Sequence, residues 1–242
     1  MRYKVILAYN GLNYAGFQSQ ENADAIQDII ERALETIFRH PVKITGASRT
    51  DRGVHAYGQV FHFDEEERDC FKLKGSINSL IPKDIHVVDV KKADNNFHAR
   101  YGVKEKTYVY LINNGERDPF LEGRAYQKTY PLDIQKMKEV AELFIGTHDF
   151  GSFNTSPIEE YPNQTRTIYE CSVNQKGKRI TITVRGDGFL RHMVRMMVGS
   201  MVDVARGHID INEIKERLEK PTKDKRRYSI DACGLYLVSI KY

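Results

Sequence analysis

The densest run of chemically capable side chains is Ser48-Arg49-Thr50-Asp51-Arg52-Gly53-Val54-His55. It falls in a turn between two predicted strands. A short carboxylate held by backbone on both sides suits a nucleophile. Flanking guanidiniums favour its ionised form. The same run also reads as a charged β-turn in which Asp51 bonds to its own backbone. A metal site built on Asp51 and His55 would have too few ligands, and no His-rich or carboxylate-rich motif elsewhere adds to them.

Other chemistries find less in the chain. Cys70, Cys171 and Cys233 are odd in number, far apart and without CxxC spacing. That argues against a disulfide framework and against zinc. There is no glycine-rich nucleotide fingerprint and no P-loop. No cofactor is expected.

The elements that must position this loop follow from periodicity. Residues 2–9 alternate as a strand until Asn10-Gly11 breaks it. Ile26, Ile29, Ile30, Ala33, Leu34, Ile37 and Phe38 form one helical stripe over 25–38. Residues 42–47 and 54–63 read as strands on either side of the polar loop. A short helix over 71–80 and a strand over 85–90 complete the first part. The second part repeats the order. A strand covers 107–112, and a helix marked by Ile134, Met137, Val140, Ala141 and Phe144 stops at Gly146. A hairpin of 166–173 and 179–184 turns at Gln175-Lys176-Gly177. An apolar helix spans 190–205, a further helix has Asn212 as its expected cap, and the last strand is 235–240. The order strand, helix, strand, strand, helix, strand therefore occurs twice. This predicts an α+β fold of duplicated ferredoxin-like βαββαβ units in an extended, mainly antiparallel sheet. The N-terminal half is expected at 1–105 and the C-terminal half at 106–242.

The 242 residues carry 37 lysines and arginines against 33 aspartates and glutamates, a net charge of +4. Through Glu105 the two signs balance at 15 each; the remainder holds 22 basic and 18 acidic residues. The excess leans toward a polyanionic partner. No apolar run reaches membrane-spanning length, and the opening residues lack a signal-peptide core. No membrane association and a cytoplasmic location are expected.

Several motifs, in order, resemble the tRNA pseudouridine synthase A family. Residues 48–56 are similar to its signature loop G-R-T-D-A-G-V-H-A. Tyr9-Asn10-Gly11 and Gly16-Phe17-Gln18-Ser19-Gln20 match its opening, with Phe17 where Trp is usual. Phe97-His98-Ala99-Arg100 and Lys106-Thr107-Tyr108-Val109-Tyr110 match its central motif. Gly146-Thr147-His148-Asp149-Phe150, Arg166-Thr167-Ile168, Gly188-Phe189-Leu190-Arg191-His192-Met193-Val194-Arg195 and Gly234-Leu235-Tyr236-Leu237 match the later ones.

The resemblance implies an isomerase that converts uridine to pseudouridine in the anticodon stem-loop of tRNA, at positions 38, 39 and 40. It implies a homodimer, with RNA bound in a cleft between the halves. Asp51 would be the nucleophile, Arg195 its basic partner, Tyr108 the ring that stacks on the target uracil, and Arg49 the residue that displaces it. Arg52 and His55 would complete the substrate contacts. Each also has a structural reading. Tyr108 shares a strand face with Tyr110 and Ile112, and Arg195 shares a helix flank with Arg191 and Arg206. His55, His98, His148 and His192 suit hydrogen-bonding roles. Arg49, Arg52, Arg191 and the basic stretch 223–227 are the expected phosphate contacts. Besides Phe17, three positions depart from the pattern: Arg52 for Ala, Ser48 for Gly, and Asp231 for Pro. Arg52 either adds a phosphate contact or competes with Arg195 for Asp51.

Overall fold

The computed structural model describes residues 1–21, 23–223, 228 and 230–242. The strands in chain order are β1 (Arg2–Tyr9), β2 (Thr45–Gly46), β3 (His55–Asp64), β4 (Ile85–Ala93), β5 (Glu105–Asn114), β6 (Tyr126–Lys128), β7 (Gly146–Asp149), β8 (Thr165–Lys176), β9 (Arg179–Gly186) and β10 (Leu235–Lys241). The helices are α1 (Ile26–Phe38), α2 (Cys70–Leu80), α3 (Ile134–Leu143), α4 (Met193–Ala205) and α5 (Ile211–Glu219). The fold is mixed α+β, as the periodicity predicts. Two compact units emerge, one of Met1–Lys104 with Tyr236–Tyr242 and one of Glu105–Leu235.

In the first unit, strands lie in the order β4-β1-β3, with β2 and β10 also on β3. β1 runs antiparallel to β3 and β4, and β2 is antiparallel to β3. Tyr3, Val5, Leu7 and Tyr9 alternate inward along β1 and are buried, the period of two that a half-covered strand requires. Ile26, Ile29, Ile30, Ala33 and Leu34 bury the apolar stripe of α1. That helix ends where Arg39 turns left-handed at φ 68° and its N–H bonds to Glu35 O. Asp69 caps α2 by accepting from the Lys72 amide. The strand predicted over 42–47 shortens to Thr45–Gly46. Its cause is local: the Ile44 amide donates to buried Glu31 Oε1 at 3.1 Å rather than to a neighbouring strand. The last strand, predicted to close the second repeat, has residues 236–242 in the first unit. It pairs parallel with β3, Tyr236 opposite His55 and Leu237 opposite Ala56.

In the second unit the strand order is β5-β9-β8-β7, with β6 on β5. β5 is antiparallel to β9, and β9 forms the predicted hairpin with β8, turning at Gly177 with φ 59°. β6 and β7 lie outside the expected elements; each is too short for its alternation to register. The helix predicted from residue 190 begins at Met193, because His192 takes a left-handed φ of 61°. The expected cap of α5, Asn212, is instead the donor: its amide bonds to the carboxylate of Asp210, the actual N-cap. Among the described residues no helix is long and apolar enough to cross a membrane.

Tyr108, Tyr110 and Ile112 are all buried along β5. Burial pushes the Tyr110 phenol well above its ordinary value, and its hydroxyl donates to Asp231 O at 2.6 Å. Tyr110→Phe leaves that carbonyl without its donor. It should destabilise the protein by about 1–2 kcal/mol, read as a lower denaturant midpoint with an unchanged slope. An unaltered midpoint would show that the bond contributes nothing net.

Candidate active site

The loop carrying Asp51 is held from three sides. From β3, Gln59 Nε2 donates to Ser48 O at 2.7 Å, and Val60 O accepts from the Ala47 amide at 2.8 Å. From the end of β1, the Tyr9 hydroxyl lies 2.7 Å from Thr50 Oγ1. From the segment after β1, the Phe17 amide donates to Thr50 O at 3.1 Å. The loop closes on itself where the Val54 amide donates to Asp51 O at 3.1 Å. Gly53 supplies the left-handed φ of 79° that this turn needs.

These contacts explain residue types that spacing alone left without a role. A Cβ on Gly11 would lie 1.9 Å from Val54 O, and one on Gly16 would lie 2.5 Å from Thr50 O. Backbone therefore packs on backbone at both places. Phe17 is buried, stacks on Tyr9 at 6.3 Å, and fills the space over Gly46, where a Cβ would meet its ring. The opening motif is thus the bed of the Asp51 loop. Its signal in the sequence is a pair of glycines followed by an aromatic, legible as a motif but not as a brace.

Within this frame Asp51 is half-buried, while Arg49 and Arg52 point outward and are exposed. His55 is 2% exposed. Its Nδ1 accepts the Gly11 amide at 3.1 Å, which places the proton of the neutral ring on Nε2. Its ring stacks on Tyr236 at 4.6 Å. His55 therefore ties the strand after the loop to the glycine bed beneath it.

Tyr108 and Arg195 belong to the second unit. Tyr108 is 6% exposed, and its ring meets the edge of Phe189 at 5.1 Å. Phe189 is set by a Gly186-Asp187-Gly188 turn pinned to β8, with the Thr167 amide donating to Asp187 Oδ1 and the Asp187 amide donating to Thr167 O, each at 3.0 Å. Arg195 sits in the first turns of α4, half-buried, and its Nε donates to Ile230 O at 2.8 Å. That bond fixes one edge of the guanidinium.

Two expectations for basic residues, the shared flank of Arg191 and the outward face of Lys223, need correction. Arg191 precedes α4, so it does not share a helix flank with Arg195. Arg206 caps that helix and lies over the Tyr130 ring at 4.3 Å. Lys223 is exposed along its stem, but its ammonium is taken up by the protein, donating to Asn154 Oδ1 at 3.0 Å and to Ser156 O at 3.2 Å. Three neutral oxygens, counting Asn154 O, take up its donors, and burial lowers its pKa. Residues 224–227 of the same basic stretch lie outside the described residues. Among the described residues no group of three or more His, Cys, Asp or Glu is arranged to hold a metal ion.

A half-buried carboxylate on a braced turn, between two exposed arginines, suits nucleophilic attack on a polyanionic substrate. Comparison with known proteins identifies the family. A family model described as tRNA pseudouridine synthase matches residues 5–102 and 140–242. A tRNA pseudouridine synthase A of Exiguobacterium sp. is 43% identical over 244 residues, covering 100% of this chain and 98% of its own length. Its counterpart from Acetivibrio thermocellus is 39% identical over 243 residues, covering 99% of this chain and 98% of its own. One from Malacoplasma penetrans is 37% identical over 245 residues, covering both chains completely at 100%. This chain belongs to the tRNA pseudouridine synthase family.

Proposed function

We propose that the protein isomerises uridine to pseudouridine in the anticodon stem-loop of tRNA, at positions 38, 39 and 40, with Asp51 as nucleophile. The braced loop carries this reading. Its backbone is tied to β3, to Tyr9 and to Phe17, so the Asp51 carboxylate needs little reorganisation to react.

The reaction breaks the C1′–N1 bond of uridine, turns the uracil, and joins C5 to C1′. The C5 proton leaves and N1 gains one. Its balance calls for no oxidant, reductant or water. The target base must first leave its stack. Exposed Arg49 is suited to fill the gap. Asp51 then attacks ribose C1′ or uracil C6. Tyr108 holds the detached uracil by its face while it rotates, and its phenol can join the later proton transfer. Arg195 keeps Asp51 ionised and aimed. Arg52 adds a phosphate contact. His55, buried beneath the loop, acts by holding it.

The roles of Tyr108, Arg195, Arg49 and Arg52 rest on the family's motifs. So do the cleft between two ferredoxin-like halves and the homodimer. Recognition is of shape and phosphate, as A-form RNA demands.

Asp51→Asn keeps the size and removes the charge. Turnover should vanish, with RNA affinity within a few-fold of wild type because binding rests on cations at phosphates. Tritium release from C5-labelled uridine in tRNA measures the first, and filter binding the second. Multiple turnovers in Asp51→Asn, with deamidation excluded, would remove Asp51 from the role.

Tyr108→Phe keeps the ring, whereas Tyr108→Leu loses it and about 1–3 kcal/mol of base stacking. If stacking dominates, single-turnover rates should fall far more for Leu than for Phe. If the phenol moves the proton, both should be nearly inactive. Small, equal effects in a normally melting protein would return Tyr108 to the core.

RNA affinity should also drop on the order of tenfold or more between about 50 and 200 mM salt, even for roughly two neutralised phosphates. A flat response would mean that Arg49 and Arg52 do not face phosphate.

A further inference from the structure

Strand β3 does not leave the Asp51 loop as a regular strand. Its register against β1 shifts between Leu7, opposite Gln59, and Tyr9, opposite Ala56. Two residues of β1 thus span three of β3, and the extra one lies at Tyr57-Gly58. This is a β-bulge, a device that re-aims a side chain and recurs beside active sites. Gly58 is required within it: a Cβ there would come 2.4 Å from Val238 O. The side chain re-aimed is Tyr57, which is 63% exposed.

Tyr57 is exposed but not loose. Its ring stacks on Tyr236 at 5.4 Å with an interplanar angle of 13°. Tyr236 is buried and stacks in turn on His55 at 4.6 Å and 23°. His55 is anchored on the Gly11 amide. Three rings thus form a column that starts in the bed of the catalytic loop and ends at an open aromatic face. A lone exposed tyrosine needs no explanation. A ring held by a bulge and by a buried stack, with one face left uncovered, has already given up the rotamer freedom that binding would otherwise cost.

We propose that Tyr57 is a stacking platform for an unpaired nucleobase of the substrate RNA, a second base subsite distinct from the one at Tyr108. Arg49 and Arg52 are exposed in the loop at the other end of the same column, so a strand that lays a base on Tyr57 can carry its backbone toward those cations, the pairing of ring and charge that single-stranded RNA sites use. Flipping the target breaks the stack of its neighbours. A neighbouring base laid on Tyr57 recovers part of that energy and keeps the opened loop open. The inference rests on the RNA reading above, and it adds a contact which that reading does not require.

The test compares Tyr57→Phe and Tyr57→Ala with wild type in binding an anticodon stem-loop transcript. Phe should bind within about twofold. Ala should bind roughly five- to 150-fold more weakly, the equivalent of one lost stack. An abasic site beside the target nucleotide should weaken wild type similarly and leave Tyr57→Ala almost unaffected. In case Tyr57→Ala folds poorly, wild type is also photocrosslinked to 5-iodouridine-substituted RNA. An adduct on Tyr57 is expected, and adducts only elsewhere would overturn the proposal. So would equal affinity of Ala and wild type, or a loss of affinity in Ala that coincides with dissociation of a dimer in sedimentation. That last outcome would assign the ring to a second copy of the chain. If wild type forms no pseudouridine in tRNA, the functional reading fails first. If it does and Tyr57→Ala binds normally, only this inference fails.

Discussion

The Asp51 loop depends on one steric fact: residue 11 has no side chain. The Val54 carbonyl occupies the place where a Cβ on Gly11 would sit, 1.9 Å from it. Any other residue would push the end of β1 away from the start of β3. The Gly11 amide would then lose His55 Nδ1, and the Tyr9 hydroxyl would move from Thr50. Phe17 would shift from the Thr50 carbonyl. Each bond is worth only about 1 kcal/mol net. Their common dependence on one close approach makes them act together. The role proposed for Asp51 asks for positioning to a fraction of an ångström, and backbone packed on backbone provides that better than side chains with rotamers.

The same frame sets the electrostatics. Thr50, inside the loop, is buried, whereas Arg49 and Arg52 on either side of it are exposed. The cations therefore stay hydrated and available to phosphate, while Asp51 between them is half-buried. This bears on the departure at residue 52, where the family usually has alanine. An exposed guanidinium is poorly placed to neutralise a partly buried carboxylate and well placed to meet an RNA backbone. Of the two readings open for Arg52, the phosphate contact fits its exposure.

Much of this was legible in the sequence where one force acts alone. β1, α1 and the β8–β9 hairpin follow from apolar periodicity, and their bounds agree closely with expectation. Legibility failed where two demands compete. Val42 and Ile44 are buried like strand residues, yet the Ile44 amide goes to Glu31. Asp210 and Asn212 are both good caps, and choosing between them takes a hydrogen bond that spacing does not reveal. Lys223 opens a run of cations, but its own ammonium is caged by carbonyl and amide oxygens. The Asp51 motif could be recognised as a string. Its mechanics, the glycine bed and the bulge at Tyr57-Gly58, are long-range contacts with no local signature.

The start of α4 shows the same logic in the second unit. His192 adopts a left-handed φ of 61° without being glycine, a conformation that costs of order 1–3 kcal/mol unless its surroundings impose it. Here they do. Thr155 Oγ1 lies 2.8 Å from His192 Nδ1. The Thr155 amide donates to Arg191 O at 3.0 Å, and the Arg191 amide donates to Ser156 Oγ at 3.1 Å. Ser156 is itself held through its carbonyl by Lys223 and through its amide by Asn154 Oδ1. The Lys223 ammonium therefore reaches the start of α4 through two short links, Ser156 and Arg191. The left-handed turn delays the helix to Met193, which puts Arg195 in its first turn rather than its second. From that position the Arg195 Nε donates to Ile230 O. Through Ser156 the Lys223 ammonium thus joins the bonds that hold the left-handed turn from which Arg195 enters the helix.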